Sequence, residues 1–120
     1  MTRTASTGEV VVELAPHLRS GQAARAAVDD LADLRPETMA KLRLLVTELV
    51  VAALAPAETR PLRLTVRVAN ETIRAELAAA AEGEDLSPPE RPRRWSLFLV
   101  NRIADRWGSD GRIVWFELDV

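Results

Sequence analysis

The stretch Leu42 to Leu54, LRLLVTELVVAAL, constrains the fold more than any other part of the chain. Apolar residues recur at Leu42, Leu45, Val46, Leu49, Val50, Ala53 and Leu54, the i, i+3, i+4, i+7 spacing of a helix with one face turned to a core. Glu48 interrupts the apolar run, and Ala52 follows one turn later on the same face. A charge beside a packed face costs stability unless water or a partner satisfies it. Two readings are open: Glu48 points at water, or its face once lined a ligand pocket.

The rest of the chain supplies what this helix can pack against. Residues 1–8 read as a loose polar tail, and 9–120 as a single domain. Glu9 to Leu14, EVVVEL, is a β-rich run with Val10, Val12 and Leu14 on one side. Pro16 ends it, and Ser20 is placed to cap a helix from about Gly21 to Leu34, with Ala24, Ala27, Val28 and Leu31 as its apolar stripe. Arg35-Pro36 breaks that pattern and starts the helix carrying Glu48, which ends near Ala55-Pro56.

The period then changes. Leu62, Leu64, Val66 and Val68 alternate with Arg63, Thr65 and Arg67, and after Asn70-Glu71 the residues Ile73, Ala75 and Leu77 alternate with Arg74 and Glu76. Two alternating runs so close together predict a β-hairpin. Ala80 to Arg94 contains Pro88, Pro89 and Pro92 and reads as a solvated loop. Trp95 to Trp107 returns to helical period, with Leu99, Val100, Ile103 and Trp107 as its stripe. Ser109-Asp110-Gly111 makes a turn, and Ile113 to Val120 is a closing strand with Val114, Phe116, Leu118 and Val120 on one face. A sheet covered on one side by helices buries these faces economically.

Composition removes several function classes. At 120 residues, 48% apolar and 28% charged, with a net charge of −2, the chain gives no bulk electrostatic reason to expect nucleic acid or an anionic membrane as partner. Cysteine is absent, which excludes disulfides, thiolate metal sites and a cysteine nucleophile. His17, the single histidine, cannot build a multi-histidine metal site and, beside Pro16, suits the surface or a helix cap. No apolar run reaches membrane-spanning length, and Met1 to Gly8 lacks the layout of a signal peptide, so a cytoplasmic location is expected.

The element order, with LLVTELVVAAL on the second helix and LVNRIADRWG before IVWFEL at the end, resembles the anti-sigma serine kinase (anti-sigma regulatory factor) family. That family belongs to the GHKL (gyrase, chaperone, histidine-kinase, MutL) ATPase superfamily and is common in actinobacteria. The resemblance runs from about Glu9 to the end. It implies a Bergerat-type, two-layer α/β sandwich, three helices against a mixed, mainly antiparallel sheet.

The resemblance also implies where a nucleotide site would lie. The family carries a glutamate on the second helix, matched by Glu48, and one turn later a magnesium-binding asparagine, where this chain has Ala52. A methyl group cannot replace an oxygen ligand of a hard cation. The family's adenine-anchoring aspartate and neighbouring glycine fall on about Ala79 and Ala81. Its phosphate-loop glycines before the third helix fall at Arg94 and Ser96, flanking Trp95. Asp85 lies too far into the proline loop to substitute for the aspartate.

Three elements of the site are thus missing together, which points to a pseudo-ATPase: ATP and magnesium lost, no catalytic residue, and Glu48 vestigial. The function implied is a non-catalytic regulatory module acting through a protein partner. By resemblance the partner is a sigma factor, a STAS-type antagonist or another kinase-like subunit, with homodimerisation as the family's habit. The alternative is an active ATP-dependent serine kinase with a divergent pocket. Two further expectations follow: the loop up to Arg94 no longer responds to nucleotide, and Trp95 and Phe98 are placed either to fill the vacated hollow or to meet a partner.

Overall fold

The computed structural model describes residues 3–6, 8–15, 19–31, 34–54, 61–80, 94–109 and 113–120, with side chains described within 8–15, 19–31, 34–51, 61–80, 99–109 and 113–120. Alternation of apolar and polar residues gives the strands their two faces, and the sheet sorts them. The strands are β1 (Arg3–Ser6), β2 (Glu9–Leu14), β3 (Leu62–Ala69), β4 (Thr72–Ala79), β5 (Arg106–Ser109) and β6 (Ile113–Asp119), and the helices are α1 (Ser20–Val28), α2 (Pro36–Leu54) and α3 (Arg94–Ile103). They form one six-stranded sheet in the order β1-β2-β3-β4-β6-β5.

Val10, Val12, Leu14, Leu62, Leu64, Val66, Ile73, Ala75, Leu77, Phe116 and Leu118 are buried on one face of the sheet. Against them pack Ala24, Ala27 and Val28 of α1, Leu42, Leu45, Val46, Leu49 and Val50 of α2, and Val100 of α3. The residues of opposite phase, among them Glu9, Glu13, Arg63, Arg67, Arg74, Glu76 and Glu117, are half-buried or exposed. The result is an α/β protein of two layers, with helices on one side and an open, polar sheet face on the other.

The β3–β4 hairpin forms as its alternation predicts, with Leu62 opposite Ala79 and Ala69 opposite Thr72. Its two-residue turn puts Asn70 at φ 52° and Glu71 at φ 62°, the double left-handed geometry that matches strand twist. The α2 stripe is buried from Leu42 to Val50, and the helix starts with Pro36 in its first turn and ends at Leu54.

Several sequence expectations are corrected. Every strand pair among the described residues is antiparallel, where a mixed sheet was expected; after β4 the chain continues through α3 and β5 to lay β6 antiparallel beside β4. Residues 3–6 pair with β2 instead of belonging to a loose tail over 1–8. Helix α1 stops at Val28 rather than Leu34. Asp29 and Asp30 place negative charge at the helix's negative end, and Asp30 N–H and Leu31 N–H close the turn onto the carbonyls of Ala27 and Val28, both at 3.1 Å. Leu31 remains buried.

Ser20 is the first helical residue rather than the cap, a position that falls at Arg19, whose side chain does not cap the helix. The buried Ser20 hydroxyl donates to the Ala15 carbonyl and ties the exit of β2 to the helix start.

The third helix stops at Ile103, and Trp107, expected on its stripe, lies on β5. Asp105 N–H already joins the sheet, donating to the Glu117 carbonyl at 2.9 Å. Trp107 stands opposite Phe116, packs against the core, and donates from Nε1 to Asn101 Oδ1 at 3.0 Å. Val120, expected on the buried face of the closing strand, is exposed just beyond the end of β6. Among the described residues no helix is long and apolar enough to cross a membrane.

Candidate functional site

The positions at which a nucleotide pocket was expected fall on α2, β4 and α3. Glu48 is half-buried on α2, flanked by exposed Leu44 and Val51. Ala52 follows within the same helix, its side chain outside the described residues. Ala79 closes β4, 6% exposed and paired with Leu62, so a methyl group packs into the core at this position. Helix α2 packs against α1 and α3 and touches β4. The backbone at Arg94 and Ser96 forms the first turn of α3. The side chains of Arg94, Trp95, Ser96 and Phe98, and His17 and the whole of residues 81–93, expected to form a loop, lie outside the described residues. Among the described residues no three Asp, Glu or His side chains gather as a metal-ligand set.

A polar seam locks α1 onto the neighbouring turn of α2. A Cβ at Gly21 would sit 3.3 Å from Thr47 Cγ2, so glycine permits the close approach. Beside it Arg25 Nη1 donates to Thr47 Oγ1 at 3.1 Å, and Thr47 Oγ1 donates to the Arg43 carbonyl at 2.7 Å. Arg43 in turn pairs with Asp29 at 3.5 Å. These contacts fix the helix that presents Glu48.

The open sheet face carries a second, denser set of charges. Strand register aligns Glu9, Arg67, Arg74, Glu117 and Arg106 in one row across five strands. Arg67 Nη2 meets Glu9 Oε2 at 2.7 Å, Arg74 Nε meets Glu76 Oε1 at 2.7 Å, and Arg74 Nη1 meets Glu117 Oε2 at 3.1 Å. Arg106 Nε meets Glu117 Oε1 at 2.7 Å, and its Nη1 donates to Asp119 Oδ2 at 3.2 Å. The Arg74 guanidinium also lies over the Trp115 ring, 4.3 Å from its centroid. Hydrogen bonds from Arg106 and then Arg74 hold the Glu117 carboxyl below its ordinary range, and Arg106 does the same for Asp119. Glu76, ahead of Glu117, strengthens the protonated state of Arg74.

Reading each strand separately missed this row, because Arg67, Arg74 and Glu117 each look like ordinary solvent-facing residues. The signal was present in the hairpin. A two-residue turn at Asn70-Glu71 forces Arg67 opposite Arg74, and a third strand with the same alternation brings a carboxylate beside them.

No protein-family model and no curated protein matches this chain.

Proposed function

We propose that the chain is a non-catalytic regulatory module, an anti-sigma-kinase-like domain of Bergerat type that has lost ATP binding and acts by binding a protein partner. What carries the reading is buried Ala79 at the end of β4, a methyl group where the resemblance places the carboxylate that anchors adenine. Ala52, one turn after Glu48 on α2, supports it, since magnesium demands oxygen ligands. Glu48 is then a carboxylate without a nucleophile to activate. A fold alone does not assign function, so the reading rests on these positions. The partner chemistry it implies is that of a sigma factor, a STAS-type antagonist or a related kinase-like subunit, in the cytoplasm.

Ligand binding to the folded state adds RT ln(1 + [L]/Kd), about 2.7 kcal/mol at a hundredfold excess over Kd, a shift of several degrees in Tm. Thermal melts with and without millimolar magnesium-ATP are expected to coincide. An upward shift specific to ATP would show that the pocket still binds nucleotide, and transfer of phosphate to a STAS-type protein would establish the serine kinase instead.

A further inference from the structure

Helix α2 packs against α1 and α3, and its side away from the core carries a second apolar pattern. Ala40, Leu44 and Val51 are exposed, Leu44 by 42% and Val51 by 46%, and Thr47 is half-buried. Their spacing of four, three and four residues is that of a seam along which two helices pack. One flank of the seam carries Lys41, the chain's only lysine, and Glu48. Lys41 is exposed and Glu48 half-buried, and among the described residues neither side chain has an ion-pair or hydrogen-bond partner. Seven residues apart on the helix, they are separated by about 10.5 Å of rise and cannot meet each other. The opposite flank is already satisfied: Arg43 pairs with Asp29, and the Thr47 hydroxyl is bonded to Arg25 and to the Arg43 carbonyl.

We propose that this face of α2 docks a second copy of the chain, the two helices running antiparallel about a two-fold axis. Leu44 then packs beside the partner's Thr47, and Val51 over the partner's Ala40, whose methyl group lets the helices approach closely. The same register sets Lys41 against the partner's Glu48, and the two-fold repeats every contact. The face is thus complementary to itself in charge as well as in apolar pattern. A parallel pair would instead set Glu48 against the partner's Arg43, a side chain that Asp29 already holds. Exposed ion pairs fix orientation more than they add affinity, so the attraction comes from the apolar seam. The 19 residues of α2 offer roughly 28 Å of helix, a small interface, and the dimer is accordingly weak and concentration-dependent. This docking does not depend on whether the chain binds nucleotide.

Sedimentation equilibrium over a concentration series measures the association, and zero-length carbodiimide coupling reads its register. An amide joining Lys41 to Glu48 is expected, and in a mixture of isotope-labelled and unlabelled protein it should join heavy to light chains. Lys41→Glu should weaken association by about tenfold or more, and adding Glu48→Lys to it should restore the dimer, since the swap exchanges the two charges. Leu44→Asp, at an exposed position, should abolish association, with circular dichroism confirming that each variant is folded. A chain that is monomeric at its highest soluble concentration, leaving the seam to a different protein, would overturn the proposal. So would a Lys41 link formed only within one chain, a dimer undiminished in folded Leu44→Asp, or a charge swap that fails to restore association.

Discussion

Gly108 lies beneath the indole of Trp115: a Cβ built at this glycine would approach the ring's Cζ2 and Nε1 to 3.0 Å. The two residues are direct cross-strand partners of β5 and β6, and Arg74 covers the same ring. The indole is thus held between a bare backbone and a guanidinium. In Gly108→Ala the methyl group pushes the ring away and weakens its contact with Arg74. Alanine lowers the unfolded-state entropy by ~0.4–1 kcal/mol, but overpacking a held ring costs about 1–3 kcal/mol, so a net destabilisation of about 1 kcal/mol is expected. Chemical denaturation measures it, and an unchanged midpoint would show that the ring moves at no cost.

The turn offers a change of opposite sign. Glu71 holds φ 62°, a conformation that costs a side-chain-bearing L-residue about 1–2 kcal/mol. Its backbone carbonyl accepts from Val120 N–H at 2.9 Å, a bond that any residue retains. Glu71→Gly should therefore stabilise the protein by about 1 kcal/mol after the entropy lost to glycine, raising Tm by a few degrees. A fall in Tm would mean that the Glu71 side chain contributes more than its backbone strain removes.

Acid should loosen the open sheet face first. The carboxyls of Glu117 and Asp119 have folded-state values below their ordinary ones, chiefly through Arg106. Their contribution to stability is complete above the unfolded-state values and disappears as pH falls through the lowered folded ones. Melts between about pH 5 and pH 2 should show stability declining with acidification, and less steeply in Glu117→Gln. Equal slopes in the two proteins would remove Glu117 from the account.

If the chain is a domain that has lost ATP binding, as proposed, restoring one element of the nucleotide site should not restore the site. Ala52→Asn returns an oxygen ligand one turn after Glu48, yet Ala79 still offers no acceptor to an adenine amino group. No ATP-dependent rise in Tm is expected from this variant. A rise of several degrees would show that metal ligation alone limits binding.

How far the sequence could be read depended on the range of each signal. Alternation from Leu62 to Leu77 and the helical stripe from Leu42 to Val50 are local patterns, and both elements formed where they reported. Trp107 misled because it sits four residues after Ile103, a spacing that a helix and a short half-buried strand share. Only the bond from Asp105 to distant Glu117 decides between them. Residues 3–6 carry no apolar period at all, and their pairing with β2 comes from the edge that β2 presents. The candidate site divides similarly. Glu48 and Ala52 are visible in one helical turn, whereas the row from Glu9 to Arg106 exists only once five strands are in register.

The sheet begins and ends with its shortest strands, β1 and β5, each four residues long. A boundary strand of that length turns only about two residues' worth of backbone donors and acceptors outward. Such an edge is a poor template for an incoming chain, and short edges are one way in which β-proteins resist aggregation. Any self-association would thereby be directed away from sheet extension and toward the broad surfaces, the charged face or the exposed side of α2. Growth into cross-β fibrils would first require β1 or β5 to peel away and uncover the longer strands behind them.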